Sequence, residues 1–224
     1  MQAAISSSAV SYSPVRKLIG QIRLFHLVAL LLGVSLLGWA AYPVSAPNLG
    51  HTPKRNRVAV YNDWVMGNVI VFVRHAERCD RSSHPCMGDP AGITLSGEKE
   101  ASTVGREFQA MGLSKTDILS SPLVRTVQTS AALFDADVTT LGWLQDCREP
   151  VLEDIAALKK PGRNLVVVTH SGCMAHYERQ LGVRGTPSAD YASALFVSSP
   201  TGSAPKALGY LNPASWPTFS KGMF

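Results

Sequence analysis

Two histidines and two arginines stand where uncharged runs of the chain stop. Val69-Ile70-Val71-Phe72-Val73 runs into Arg74-His75, and Asn164-Leu165-Val166-Val167-Val168-Thr169 runs into His170. Between them Ile118-Leu119-Ser120-Ser121 breaks at Pro122 into a helical pattern that carries Arg125 in its first turn. Imidazole is nucleophilic near neutral pH without strong perturbation and can carry a transferred phosphoryl group as a covalent intermediate. The charge on that group needs fixed donors, and guanidinium forks match phosphate oxygens two at a time. Taken singly, each of these residues reads as a hydrogen-bonded surface group at a strand end. Taken together, Arg74, His75, Arg125 and His170 are a minimal set for phosphoryl transfer.

Such a set works only if the strands bring it to one rim. The β-branched and aromatic runs at 69–73 and 164–169 carry no charge, the pattern of strands buried on both faces of a parallel sheet. In an open α/β sheet the crevice beyond the carboxyl ends of the strands is where ligands bind. Helical patterns alternate with these strands. Thr94 is placed to cap a helix to about Met111, with Ala101, Val104, Phe108 and Met111 on one face and Gly112 as the stop. Further helices are expected over 122–134, 150–160 and 172–181, with a short strand over 138–141. Residues 58–66 read as one or two helical turns, and 192–197 with 207–211 as a terminal hairpin around a turn-rich segment. The expectation is a three-layer α/β/α domain with a mostly parallel central sheet. The irregular stretch from Ala76 to Gly92 is long for a compact domain, which marks it as functional.

The chain has 224 residues and a formal charge of +5, but the charge is unevenly spread: residues 1–57 hold six of the 21 basic residues and none of the 16 acidic ones. The remainder is near neutral, so no nucleic-acid partner is expected. Residues 1–23 are basic and acid-free, and 24–42 are almost continuously apolar, which reads as a signal peptide or a membrane anchor. Val44-Ser45-Ala46 offers a cleavage site, with Pro47 an unfavourable neighbour. Basic residues ahead of the apolar run keep the N-terminus in the cytoplasm and put the rest outside. Residues 43–57 read as a linker and 58–224 as the domain, periplasmic and either exported or tethered.

Arg74-His75-Ala76-Glu77 resembles the Arg-His-Gly signature of the histidine phosphatase superfamily, with its phosphoglycerate-mutase-like fold. Ser120-Ser121-Pro122-Leu123-Val124-Arg125-Thr126-Val127-Gln128-Thr129 resembles the second motif of that family, and Val168-Thr169-His170 the third. The resemblance implies that His75 is the phosphorylated nucleophile, that Arg74 and Arg125 bind phosphate with His170, that His170 steadies the transferring group, and that no cofactor is needed. Ala76 replaces the usual glycine. Arg78-Cys79-Asp80-Arg81-Ser82, with Cys86 and Gly92-Ile93-Thr94, is similar to the lipopolysaccharide core heptose(II)-phosphate phosphatase branch, which implies a phosphorylated small-molecule or glycolipid substrate. Ser171-Gly172 departs from that branch and leaves the substrate open, since loops choose it.

A general acid must protonate the leaving oxygen. Glu149 is favoured over Asp146, Glu153 and Glu77; the alternative for Glu149 is a helix N-terminal charge, and for Glu77 a hydrogen bond that holds a neighbouring arginine. Arg78, Arg81 and His84 make the loop after His75 positive, suited to a phosphorylated sugar or an anionic membrane surface. The four cysteines permit two disulfides in three connectivities. Cys79–Cys86, stapling that loop, and Cys147–Cys173 are the expected pairs. No metal site is expected, because Cys79, His84 and Cys86 lack a fourth ligand. The rival functions are a phosphatase acting on phosphohistidine in proteins, which needs a cytoplasmic domain, and a non-catalytic phosphate- or glycan-binding module.

Overall fold

The computed structural model describes residues 25–35, 45–136, 138–147, 151–183 and 190–223, with the backbone alone of Val151. Residues 25–35 form a helical segment in a unit of their own, 1–43, and among the described residues no helix is long and apolar enough to cross a membrane. The second unit spans 44–224.

Its centre is a six-stranded sheet: β1 (Val69–Arg74), β2 (Thr116–Ser120), β3 (Thr139–Thr140), β4 (Asn164–Thr169), β5 (Ala194–Ser198) and β6 (Lys206–Leu211), in the order β3-β2-β4-β1-β5-β6. The first four are parallel, and β5 and β6 turn antiparallel at one edge. Side chains alternate across β1. Val69, Val71 and Val73 join Trp64, Phe108, Phe196 and Trp216 on one face, and Ile70 and Phe72 join Leu144, Ile155 and Tyr177 on the other. Every residue from Val69 to Val73 is fully buried. Both faces are therefore core, which is why the run carries no polar alternation. Phe72 stacks on Tyr177 with ring centroids 4.0 Å apart, and truncating such a ring to alanine costs about 3–5 kcal/mol.

The helices α1 (Lys54–Val65), α2 (Leu95–Met111), α3 (Val124–Phe134) and α6 (Trp216–Ser220) contribute to the first core, and α4 (Val151–Leu158) and α5 (Ser171–Gln180) to the second. This is the expected three-layer α/β/α arrangement. Thr94 caps α2, its hydroxyl accepting from the Gly97 amide at 3.0 Å. Two stretches differ from expectation. Residues 45–57, read as linker, contain a 3-10 turn (Leu49–His51) and the first residues of α1, with Ala46 and Leu49 buried. Proline and glycine disguised an anchored segment, and the predicted one or two helical turns over 58–66 extend to twelve residues. At the other end α6 places Trp216 and Phe219 in the core, where the sequence offered too short a run to show periodicity.

Strand register aligns the reactive ends. Arg74 lies opposite Thr169, and Ser120 opposite Val168. The ladder runs one step past the strands: the His75 amide donates to Thr169 O at 2.8 Å and the Ser121 amide to Val168 O at 2.9 Å. Three parallel strands thus deliver His75, Ser121 and His170 to one rim.

Candidate active site

His75 is 2% exposed. Its Nδ1 lies 2.8 Å from the carbonyl of Ala76, so that nitrogen carries the proton and donates, and Nε2 keeps its lone pair. Burial, with Arg125, Arg74 and Arg78 nearby, pushes the imidazole pKa down to about 3. A buried, neutral imidazole with a free Nε2 is a nucleophile rather than a cation. Ala76, where the family motif has glycine, has an ordinary backbone angle, and its amide donates to Thr129 Oγ1 at 2.9 Å. The Thr129 hydroxyl in turn donates to the Arg125 carbonyl at 2.6 Å. One threonine therefore ties the nucleophile loop to the helix turn that carries Arg125.

The two arginines are held differently from ordinary surface arginines. Arg74 lies over the ring of Tyr191, 4.3 Å from its centroid. The Nε atoms of Arg74 and Arg125 are buried without a hydrogen-bond partner, and among the described residues neither guanidinium is paired with a carboxylate. Burial lowers the pKa of both, with Arg78 and Arg81 acting in the same direction. Half-buried guanidiniums without a carboxylate partner, each repelled by Arg78 and Arg81, are costly, and an incoming dianion relieves that cost.

His170 is half-buried. Its Nε2 donates to the carbonyl of Gln145 at 3.1 Å, which leaves Nδ1 as the acceptor. Burial lowers its pKa, and Arg125 adds to the effect while Asp146 opposes it. Arg125 thus acts on both histidines, which places the four residues in one electrostatic cluster.

Cys147 and Cys173 are paired at disulfide distance, Cα to Cα 5.3 Å, with their sulfurs 3.8 and 3.2 Å from His170 Nε2. The pair joins the turn bearing Gln145 to the helix that follows His170. Cys79 and Cys86 are likewise paired, Cα to Cα 5.2 Å, across the loop after His75. Among the described residues, the only cluster with ligand atoms suited to a cation is Cys147, His170 and Cys173, all within 4.8 Å. Two of those atoms are the sulfurs of one pair, and a disulfide sulfur is a poor ligand beside a thiolate.

Among the described residues Glu77 holds no arginine, contrary to one expectation. Its Oε2 accepts from Thr94 Oγ1 at 2.6 Å and from His84 Nδ1 at 2.8 Å, and these bonds lower its pKa. It fastens the loop to the start of α2, and it occupies His84, which the sequence had set beside Cys79 and Cys86. Arg78 is paired with Asp80. Arg81 acts on Arg74 and Arg125 through charge alone. Glu149 lies outside the described residues. Tyr191, whose ring centroid is 5.7 Å from that of His75, was missed by sequence reasoning, as was the carbonyl of Gln145. Neither carries a local signal, because both reach the rim from elements distant in sequence.

The family model of the histidine phosphatase superfamily (branch 1) matches residues 70–149. A lipopolysaccharide core heptose(II)-phosphate phosphatase from Salmonella arizonae is 36% identical over 139 residues, which cover 60% of this chain and 67% of that relative. The protein of the same name from Salmonella typhimurium matches with the same identity and coverage. Among solved structures, the protein histidine phosphatase SixA complexed with tungstate superposes with a TM-score of 0.54 at 16% identity, covering 65% of this chain and 97% of its own. A SixA structure from Agrobacterium tumefaciens gives 0.52 at 16%, covering 66% and 99%. The structural likeness at that identity carries the fold, and the longer sequence match to the Salmonella proteins carries membership. With the three motifs in order and their residues gathered at one sheet rim, the chain belongs to the histidine phosphatase superfamily.

Proposed function

We propose that this protein hydrolyses a phosphomonoester through a phosphohistidine at His75, on a phosphorylated sugar of the cell envelope such as lipopolysaccharide core heptose phosphate. The observation that carries the reading is His75 itself: Nδ1 tied to the Ala76 carbonyl, Nε2 left with its lone pair, beside two guanidiniums with no carboxylate partner among the described residues. In the first step the Nε2 lone pair attacks phosphorus, and the ester oxygen leaves with its bonding pair and takes a proton. Arg74 and Arg125 meet the charge on the equatorial oxygens, and His170 donates to them once the dianion has brought a second proton onto its Nδ1. In the second step water attacks phosphorus, the N–P bond breaks, and orthophosphate and neutral His75 are released. Glu149 is the favoured proton donor.

The substrate reading is supported by the similarity to the Salmonella lipopolysaccharide core heptose(II)-phosphate phosphatases. The location outside the cytoplasm is supported by the acid-free, apolar N-terminal sequence and by two cysteine pairs closed as disulfides. On this reading residues 24–42 are the export signal or tether.

The test is turnover of an aryl phosphate by the oxidised full chain in mild detergent with chelator present, together with His75→Ala and an acid quench for phosphoenzyme. Turnover that persists in chelator, falls by about 10⁴-fold or more in His75→Ala and leaves acid-labile phosphate on His75 is expected. Retained phosphate binding with no turnover and no trapped phosphate would replace this reading with a binding module.

A further inference from the structure

Beside Arg74 lies a cleft of about 430 Å³ whose wall includes Arg74, Glu77, Glu100, Asp190, Tyr191 and Asn212. Arg74 and Tyr191 link it to the proposed phosphate-binding position. Arg74 belongs to both, and Tyr191 covers the Arg74 guanidinium on one side and approaches the His75 ring at 5.7 Å. A volume of this size lies within the range of small-ligand sites and fits a single sugar-sized group.

The charge of the cleft is lopsided. Three carboxylates share it with one guanidinium, and that guanidinium is the one placed to hold the scissile phosphate. Glu77 is occupied by Thr94 and His84, and Asp190 Oδ2 accepts from Asn212 Nδ2 at 3.2 Å. Glu100, half-buried on α2, has neither an ion-pair partner nor a hydrogen-bonded side chain among the described residues. Its burial and the charges of Glu77 and Asp190 raise its pKa. A half-buried carboxyl with a raised pKa inside a cleft is a functional candidate when geometry supports it, and here the shared Arg74 supplies the geometry.

We infer that this cleft receives the leaving group of the phosphomonoester, and that Glu100 and Asp190 make it select a neutral, hydroxyl-rich group over one bearing a second negative charge. The inference rests on His75 being the nucleophile and goes beyond it by assigning the specificity of the site. Carboxylate oxygens accept hydrogen bonds from sugar hydroxyls, whereas a carboxylate or second phosphate in the same place meets like charges with Arg74 already engaged. The three carboxylates thus act chiefly by exclusion.

The experiment compares kcat/KM for mannose 6-phosphate and 3-phosphoglycerate, each normalised to an aryl phosphate, on the full chain in mild detergent. The sugar phosphate is expected to be favoured by about tenfold or more, and the preference to shrink as salt is raised. Glu100→Gln and, separately, Asp190→Asn are expected to narrow the ratio by improving the relative rate on 3-phosphoglycerate. A wild-type ratio near one, or a ratio that neither variant moves, overturns the inference while aryl phosphate turnover leaves the phosphatase reading intact. Absence of aryl phosphate turnover overturns both.

Discussion

The two edges of the sheet hold arginines in opposite ways. At the amino end Arg163 donates to Asp117 Oδ1 from Nε and Nη2, at 2.9 and 2.8 Å, and Lys160 lies 3.2 Å from the other oxygen. That carboxylate is held below its usual pKa by its partners, and every charge there has an answer within the protein. At the carboxyl end Arg74 and Arg125 have buried Nε atoms without partners and no carboxylate among the described residues. The same residue type is tied to a carboxylate at one rim and has none among the described residues at the other, where two such guanidiniums stand with both histidines.

The comparison is most sharply tested by removing one arginine from each edge. Arg125→Ala is expected to lower kcat/KM on an aryl phosphate by about 10²–10³-fold, with a melting temperature at or above that of the parent, because an uncompensated buried charge is lost. Steady-state kinetics and thermal unfolding on the same preparation check both halves. A large fall in stability would place Arg125 with Arg163 as a structural residue.

A smaller effect is expected from the cysteine pair beside His170. In Cys147→Ser/Cys173→Ser the Gln145 carbonyl is no longer tied to the helix after His170, and kcat is expected to fall about tenfold. Rescue of most of that loss in Cys147→Ala/Cys173→Ala would show that the loss came from the new hydroxyls and not from the missing link.

The two edges should also separate in pH. Folded His75 stays neutral to about pH 3, while an unfolded imidazole takes a proton near 6.5, so the unfolded state binds more protons between these values and stability falls as pH drops through that window. The lowered pKa of His170 acts in the same direction. Asp117, with a lowered folded pKa, contributes above its unfolded value of 3.8 and loses that contribution only as pH falls below it. Unfolding free energies measured from pH 7 to 4.5 should therefore decline in the parent and decline less in His75→Gln. Asp117→Asn should leave that slope unchanged. The smallest effect is expected from Arg163→Ala, with aryl phosphate kinetics within about twofold of the parent, since a partly exposed ion pair far from the rim contributes little.

How much of this was readable in the chain follows from the range of each interaction. The buried strands β1 and β4 were visible because a two-face environment demands unbroken apolar sequence, and Thr94 was visible because capping is local. Arg74, His75, Arg125 and His170 were visible because each stands in a short motif at the end of an apolar run. The arginine bond considered as an alternative for Glu77 is not formed among the described residues, because its partners, Thr94 and His84, are fixed by how the loop folds back on α2. Tyr191 and Gln145 gave no signal, since one acts through a ring brought beside His75 by the pairing of β5 with β1 and the other through a backbone carbonyl that any residue would supply.

The sequence by itself determined the strand ends, the order of the motifs and the residue types able to move a phosphoryl group, because these depend on side-chain chemistry and on periodicity within a few residues. Tertiary structure alone decided which arginines lack partners and where the acidic cleft meets Arg74. Those are properties of distances between segments as much as a hundred residues apart, and they are set by the register of β1 on β4 and by the packing of the loops around it.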